Sequence, residues 1–298
     1  MLLRSEQRQG VSWGGLPVVF MGGFMKEEKE EKKLLQWHAA FFADIQIELA
    51  EEARYLDAAK GAAAFITAYL TDPDGKLLAR WREGESAHSG KLDDYAFLAY
   101  GLLELYRVTF ETSYLADALH LAGLLLEFFF DHEHGGFYPY ASDAEQLLTR
   151  TKEVYDGAMP SGNSVAARVL SRLSRLTCEP QWQDASEKQL SYLAGAVSQY
   201  PAGHSFTMLV FLEALYPTAE LVCTGEGAPS ALQAFLRENV HPELSVLVKT
   251  LSNQDALSQL APFTEAYPIP DHGVQYYLCR DQVCSAPVDD ISKLDLSN

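Results

Sequence analysis

The sequence predicts a mainly α-helical protein, built of helical hairpins packed side by side and followed by a small α/β unit. Three observations carry that expectation. Apolar residues recur at helical spacing from about residue 42 to residue 216, on faces so wide that each helix needs neighbours to cover it. The pattern also repeats. Tyr55-Leu56 followed by Asp72 returns 59 residues later as Tyr114-Leu115 followed by Asp131, and Ala99, Leu102, Leu105 and Thr109 return 68 residues later as Ala167, Leu170, Leu173 and Thr177. After Pro217 the periodicity changes to alternating strands and helices. Recurring hairpins of this kind stack into a solenoid, or close into a ring of inner and outer helices whose entrance loops share one face.

The elements follow in order. Residues 1–47 are expected to be irregular and charged: glycines punctuate Leu16 to Phe20, and a solvated run extends from Lys26 to Lys33. Helices are expected over Phe42 to Ala53 and Tyr55 to Leu70, the second stopped by Asp72-Pro73-Asp74-Gly75. A polar connector, Lys76 to Gly90, leads to a helix from Asp94 to Val108 and another from Tyr114 to Phe130. The turn Asp131 to Gly136 and a further connector precede Asp156-Gly157-Ala158-Met159-Pro160-Ser161-Gly162-Asn163-Ser164, a polar loop running straight into a helix that ends near Thr177. Gly162 relaxes the backbone there, and Ser161, Asn163 and Ser164 can all cap a helix start. Trp182 to Gln199 and Ser205 to Tyr216 complete the helical part, 48–217. In the tail, 218–298, strands are expected over Glu220 to Thr224, Leu244 to Thr250 and Val274 to Cys279, with a helix from Ser230 to Asn239.

Charge narrows the function. With 41 acidic against 23 basic residues, the net charge of -18 argues against nucleic acid and anionic membranes as partners. The longest apolar run, Leu121 to Phe130, is broken by Glu127 and too short to span a bilayer. No signal peptide opens the chain, so a cytoplasmic location is expected. Four cysteines do not make a disulfide scaffold, and free thiols are the expected state. Cys279 and Cys284 flank a hairpin turn, where a disulfide or redox role is the alternative. No His-x-Glu, His-Glu-x-x-His or calcium-loop spacing is present, so neither a metal nor another cofactor is expected.

Three segments resemble one family. They are Leu92-Asp93-Asp94-Tyr95-Ala96-Phe97, then Asp131 through Gly135-Gly136-Phe137-Tyr138 with the Asp156 to Ser164 loop, and finally Tyr277-Leu278-Cys279 with Cys284-Ser285-Ala286-Pro287-Val288. In this order they resemble the C-terminal part of thioredoxin-domain proteins similar to spermatogenesis-associated protein 20. The resemblance covers residues 48 to 290. It implies an (α/α)6 toroid like those of N-acylglucosamine 2-epimerases, with inner helices beginning at Asp93/Asp94, Ser161 and about His204. Nothing before residue 48 resembles a thioredoxin fold, Cys-x-x-Cys is absent, and Lys91 stands where the family often has an aromatic. The toroid is therefore expected to be incomplete, in a truncated or altered chain, with an open edge that could take a protein partner.

The expected ligand is a sugar or polyol, handled by an epimerase-like or hydrolase-like site. Asp94 and Asp156 are the acid/base candidates, because facing carboxylates whose pKa values are split by burial can move protons. Asp93 and Asp94 diverge by about 100° on a helix, so only one can point inward. The plainer reading is that Asp93 caps the helix and Asp94 stabilises its first turn. Tyr95, Ser161, Asn163 and Ser164 are candidates to bind hydroxyls, with Asp93, and Trp81 offers a flat face for a sugar ring. His204 is a further candidate, since the resemblance implies histidines as proton carriers. Ordinary packing and capping would explain the same residues. A non-catalytic interaction module associated with a redox domain is the alternative function.

Overall fold

A computed structural model of the chain describes residues 53–144, 150–215, 218–238, 244–280 and 283–294. The charged segment 1–47 lies outside the described residues, as does the expected helix Phe42 to Ala53 except for its last residue.

Six helices form two rows: α1 (Ala53–Tyr69), α2 (Leu92–Thr109), α3 (Thr112–Phe128), α4 (Gly162–Thr177), α5 (Pro180–Gln199) and α6 (Ser205–Leu215). Helices α2, α4 and α6 lie side by side as the inner row, while α1, α3 and α5 back them from outside. Among the described residues, these rows make up part of an (α/α)6 toroid. Helix α2 is buried at nearly every position from Leu92 to Tyr106, because neighbours cover it on several sides.

Both sequence repeats correspond to repeated geometry. Thr109 Oγ1 donates to Leu105 O at 2.7 Å, and Thr177 Oγ1 donates to Leu173 O at 2.8 Å. Each threonine hydroxyl then accepts from the amide two residues on, Glu111 or Glu179, at 3.2 Å. Between them, Phe110 and Cys178 end α2 and α4 in the left-handed region, with φ of 58° and 55°. In the other repeat, Asp72 Oδ1 accepts from the amides of Asp74 and Lys76, and Asp131 Oδ1 from those of Glu133 and His134. These Asx turns stop α1 and α3 and reverse the chain through Gly75 and Gly135, both at positive φ.

The connector Lys76 to Gly90 is not a plain loop. Its residues form an antiparallel hairpin, β1 (Leu78–Arg82) with β2 (Glu85–Ser89), turned through Glu83 and Gly84 at φ 52° and 87°. Trp81 on β1 packs edge-on against Phe65 and Tyr69 of α1, 5.6 and 5.9 Å between ring centres.

In the tail, β3 (Ala219–Gly225) pairs in parallel with β4 (Leu244–Thr250), and α7 (Ser230–Glu238) lies between them in the chain. β5 (Val274–Arg280) runs antiparallel to β3 on its other side, and β6 (Val283–Cys284) pairs with β5, giving the order β4-β3-β5-β6. The alternation of strand residues divides the sheet into two faces. Leu221, Cys223, Val246 and Val248 pack beneath Leu232 of α7, whereas Val222 and Leu247 join the core of the helical arc. A seven-residue helix that the sequence did not disclose, α8 (Gln254–Leu260), also adds Leu257 to that core.

The expectation of free thiols holds for Cys178 and Cys223 and fails for the other two cysteines. Cys279 and Cys284 are joined in a disulfide. They are register partners across the β5–β6 hairpin, with Cα atoms 3.9 Å apart, so the turn itself brings the sulfurs together.

Candidate functional site

The polar residues singled out in the sequence gather at the entrances of the inner helices. Asp156 is their hub. Its Oδ1 accepts from Ser161 N at 2.9 Å and Ser164 Oγ at 2.6 Å, and its Oδ2 from Phe206 N at 2.9 Å and Thr207 N at 3.1 Å. One buried carboxylate thus satisfies free amides at the starts of both α4 and α6, where the helix dipoles favour negative charge. Ser161 caps α4, its Oγ accepting from Ser164 N at 3.1 Å, and Ser164 Oγ lies 2.8 Å from Thr207 Oγ1.

Asn163 is equally engaged. Its Oδ1 accepts from Phe137 N at 2.7 Å and Gln189 Nε2 at 3.1 Å, while its Nδ2 donates to the carbonyls of Phe137 and Glu153. His204 is buried, with Nδ1 2.8 Å from the Val154 carbonyl, which requires a proton on that nitrogen. Helix α2 begins two residues earlier than a cap at Asp93 would allow. Lys91 occupies the N-cap position, and Asp94, three residues on, accepts from Lys91 N at 2.8 Å. Asp93 instead lies against α4, where a side chain at Gly162 would collide with its carboxylate and with Leu92. The absence of a Cβ at residue 162 is what lets two inner helices start in contact.

Two candidates are placed elsewhere. Tyr95 is in the core, its ring 5.1 Å from Phe129 and its hydroxyl accepting from Leu77 N at 2.9 Å; burial pushes its pKa up to about 12. Trp81 belongs to the α1 contact already described, on the outer row. Asp94, Asp156, Ser161, Asn163, Ser164 and His204 therefore stand at the entrances, with Asp93 beside them, but the hydrogen bonds of this group run mainly to the protein itself.

A second cluster was not singled out from the sequence. Asn163 and Ala167 turn toward α5, bonding Gln189 and packing with Leu193. Arg172, nine positions after Asn163 and so about two and a half turns away, points to the opposite, concave side. There it pairs with the fully buried Glu104 of α2. Glu213 of α6 receives Arg168 at 3.0 Å and Arg175 at 3.4 Å. The Arg168 guanidinium lies 5.3 Å from the Tyr100 ring centre and 5.5 Å from that of Phe206. Burial pulls the Arg175 pKa down, and Glu213 opposes that shift. The available signal was arginines at positions 168, 172 and 175, four and three residues apart on one helix. Such spacing more often marks a solvated face.

Among the described residues, no cluster of three or more His, Cys, Asp or Glu could hold a metal ion, and no helix is long and apolar enough to cross a membrane.

Two rows of helices with polar loops collected at the inner-row entrances define the α/α-toroid class of protein. Within it, the chain is homologous to spermatogenesis-associated protein 20. It is 27% identical to the protein of that name from Homo sapiens over 286 residues, 90% of this chain and 36% of that one. It is 30% identical to the Rattus norvegicus protein over 211 residues, 69% of this chain and 26% of that one. The chain thus spans about a third of the length of these relatives or less. No family model matches it. Partial structural likeness extends to cellobiose 2-epimerase from Spirochaeta thermophila DSM 6192 (TM-score 0.43, 24% identity, 53% of this chain and 41% of that one). It extends also to a D-mannose isomerase (TM-score 0.42, 16% identity, 53% and 39%).

Proposed function

We propose that the concave side of the helical arc binds a sugar or polyol, and that Arg168, Arg172 and Glu213 with Tyr100 and Phe206 line the site. The observation that carries this reading is the array on that side: Glu213 receives Arg168 at 3.0 Å and Arg175 at 3.4 Å, and the Arg168 guanidinium stands 5.3 Å from the Tyr100 ring centre and 5.5 Å from that of Phe206. Glu104 lies fully buried behind it, paired with Arg172 and with Arg107 3.8 Å from its Oε2. Burying such charges is costly, and structural ion clusters of this kind are often less stabilising than apolar packing. Alternating guanidinium and carboxylate groups beside aromatic faces suit a run of neighbouring hydroxyls and the flat side of a sugar ring. In this reading Asp94, Asp156, Ser161, Asn163 and Ser164 set the position of the inner helices. An epimerase-like or hydrolase-like step through Asp156 would require it to give up donors it already holds.

The test is thermal unfolding of the chain against a panel of monosaccharides, disaccharides and sugar alcohols, in wild type and Arg168→Lys. A binder raises the melting temperature of the wild type, and Lys, lacking the planar fork that stacks on Tyr100, weakens the shift. A panel in which no compound shifts the melting temperature removes the proposal.

One observation favours the non-catalytic alternative. Met208, Leu209, Leu212 and Leu215 are exposed on α6, the last inner helix of the described arc. Such an apolar patch suits a protein partner at the open edge of the toroid. Leu212→Glu would then abolish an association seen by light scattering while leaving any sugar-induced shift intact.

A further inference from the structure

The disulfide at the β5–β6 hairpin is built asymmetrically. Cys279 is buried on β5, whereas Cys284 is exposed on β6. The Tyr267 hydroxyl stands 3.3 Å from Cys279 Sγ and 3.1 Å from Cys284 Sγ. Bonded sulfurs carry no proton, so the hydroxyl is the donor to them. Tyr267 is held there from both ends. Its carbonyl accepts from the buried Lys249 Nζ at 3.0 Å, and its ring meets Tyr277 edge-on with centres 4.8 Å apart. Burial, with a smaller contribution from the nearby Cys178, raises the Tyr267 pKa and keeps the donor protonated at neutral pH. The crosslink spans a sequence separation of only five within strands already paired, the arrangement in which a disulfide restrains the unfolded chain least.

We propose that Cys279–Cys284 is a thiol–disulfide exchange site whose co-substrate is a dithiol. A donor thiolate attacks the accessible Cys284 Sγ. A donor–Cys284 disulfide forms as the Cys279–Cys284 bond breaks, and the electron pair leaves on Cys279 Sγ. The Tyr267 hydroxyl stabilises that buried thiolate, which then takes a proton from water. The donor's second thiolate attacks its own sulfur in the mixed disulfide and releases Cys284 as a thiolate. The donor ends as a disulfide, and Cys279 and Cys284 end as two thiols. In reverse, the same steps pass the electron pair to an incoming disulfide.

The remaining cysteines supply internal references for a test. Cys178 is exposed and free, and Cys223 is buried, with its thiol pushed up to about 12 by burial. The full chain is treated with dithiothreitol at neutral pH, quenched at intervals with a maleimide, and mapped by mass spectrometry. Cys178 should label at all times, and Cys279 and Cys284 should become labelled while Cys223 stays protected. Tyr267→Phe should slow the appearance of the two thiols about tenfold, the loss of one hydrogen bond to a developing charge, again with Cys223 protected. Labelling of Cys279 and Cys284 only in step with Cys223 would mean that reduction requires unfolding, and the proposal would fall. An unchanged rate in Tyr267→Phe would overturn it equally.

Discussion

Glu104 and Arg172 occupy equivalent places in successive inner helices, 68 residues apart in the chain, and pair with each other across the α2–α4 contact. The repeat therefore opposes a carboxylate to a guanidinium at one level of the arc. Because Glu104 is fully buried, removing Arg172 strips its charge of the nearer partner and leaves Arg107 at 3.8 Å. Arg172→Met is expected to destabilise the fold by about 3–5 kcal/mol. Glu104→Leu combined with Arg172→Met should recover most of that loss, since neither charge then remains at the site. Urea unfolding of both variants decides the matter; a double variant as unstable as the single one would contradict the coupling.

Asp156 ties the start of α4, five residues on in the chain, to the start of α6, about fifty residues on. Asp156→Ala should leave amides of α4 and α6 without partners and cost about 2–4 kcal/mol. Asp156→Asn keeps one acceptor oxygen and should lose less. Hydrogen exchange reads this directly, because Ser161, Phe206 and Thr207 amides should all lose protection together in the alanine variant. Protection unchanged at Phe206 and Thr207 would show that the clasp does not hold α6.

Acid sensitivity should appear at the turn after α3. The Lys152 ammonium, 2.7 Å from Asp131 Oδ2, together with the His134 amide, holds the Asp131 carboxyl well below the usual carboxylate range. A folded-state pKa below the unfolded value means stability that is fully present above about pH 4 and lost as the pH falls further. Lys152→Met should flatten that part of the stability profile. Unfolding midpoints measured between neutral pH and pH 2 in wild type and variant give the comparison.

Gly162→Ala tests the contact between inner-helix entrances. Alanine is favoured over glycine inside a helix by about 1 kcal/mol, so an isolated helix would gain. Here the added methyl meets Asp93 and Leu92, and a net loss in melting temperature is expected. A gain would mean that the α2 entrance yields easily.

The two-row helical plan was legible because it is written in local signals: 3.6-residue periodicity, Asx turns and the threonine-ended helices repeat at fixed intervals. The β1–β2 hairpin was not, since its strands are short, largely exposed and lack a clean apolar alternation. Asp156 was conspicuous in its loop, but two of its four donors come from the start of α6, which no local pattern connects to it. Arg168, Arg172 and Arg175 were hidden for a related reason. Only the partners on α2 and α6 distinguish them from a solvated stripe. The disulfide went against an expectation based on compartment, whereas the strand register that brings Cys279 opposite Cys284 is a tertiary fact.

The two-faced sheet limits how the chain can be divided. Val222, Leu247, Leu257 and Ala261 are packed among the side chains of the arc, not merely beside it. Cutting the polypeptide just ahead of β3 would peel away part of the arc's own interior and wet the leucines of its inner helices. A helical half expressed alone should therefore precipitate, and adding back the missing half in trans should return it to solution.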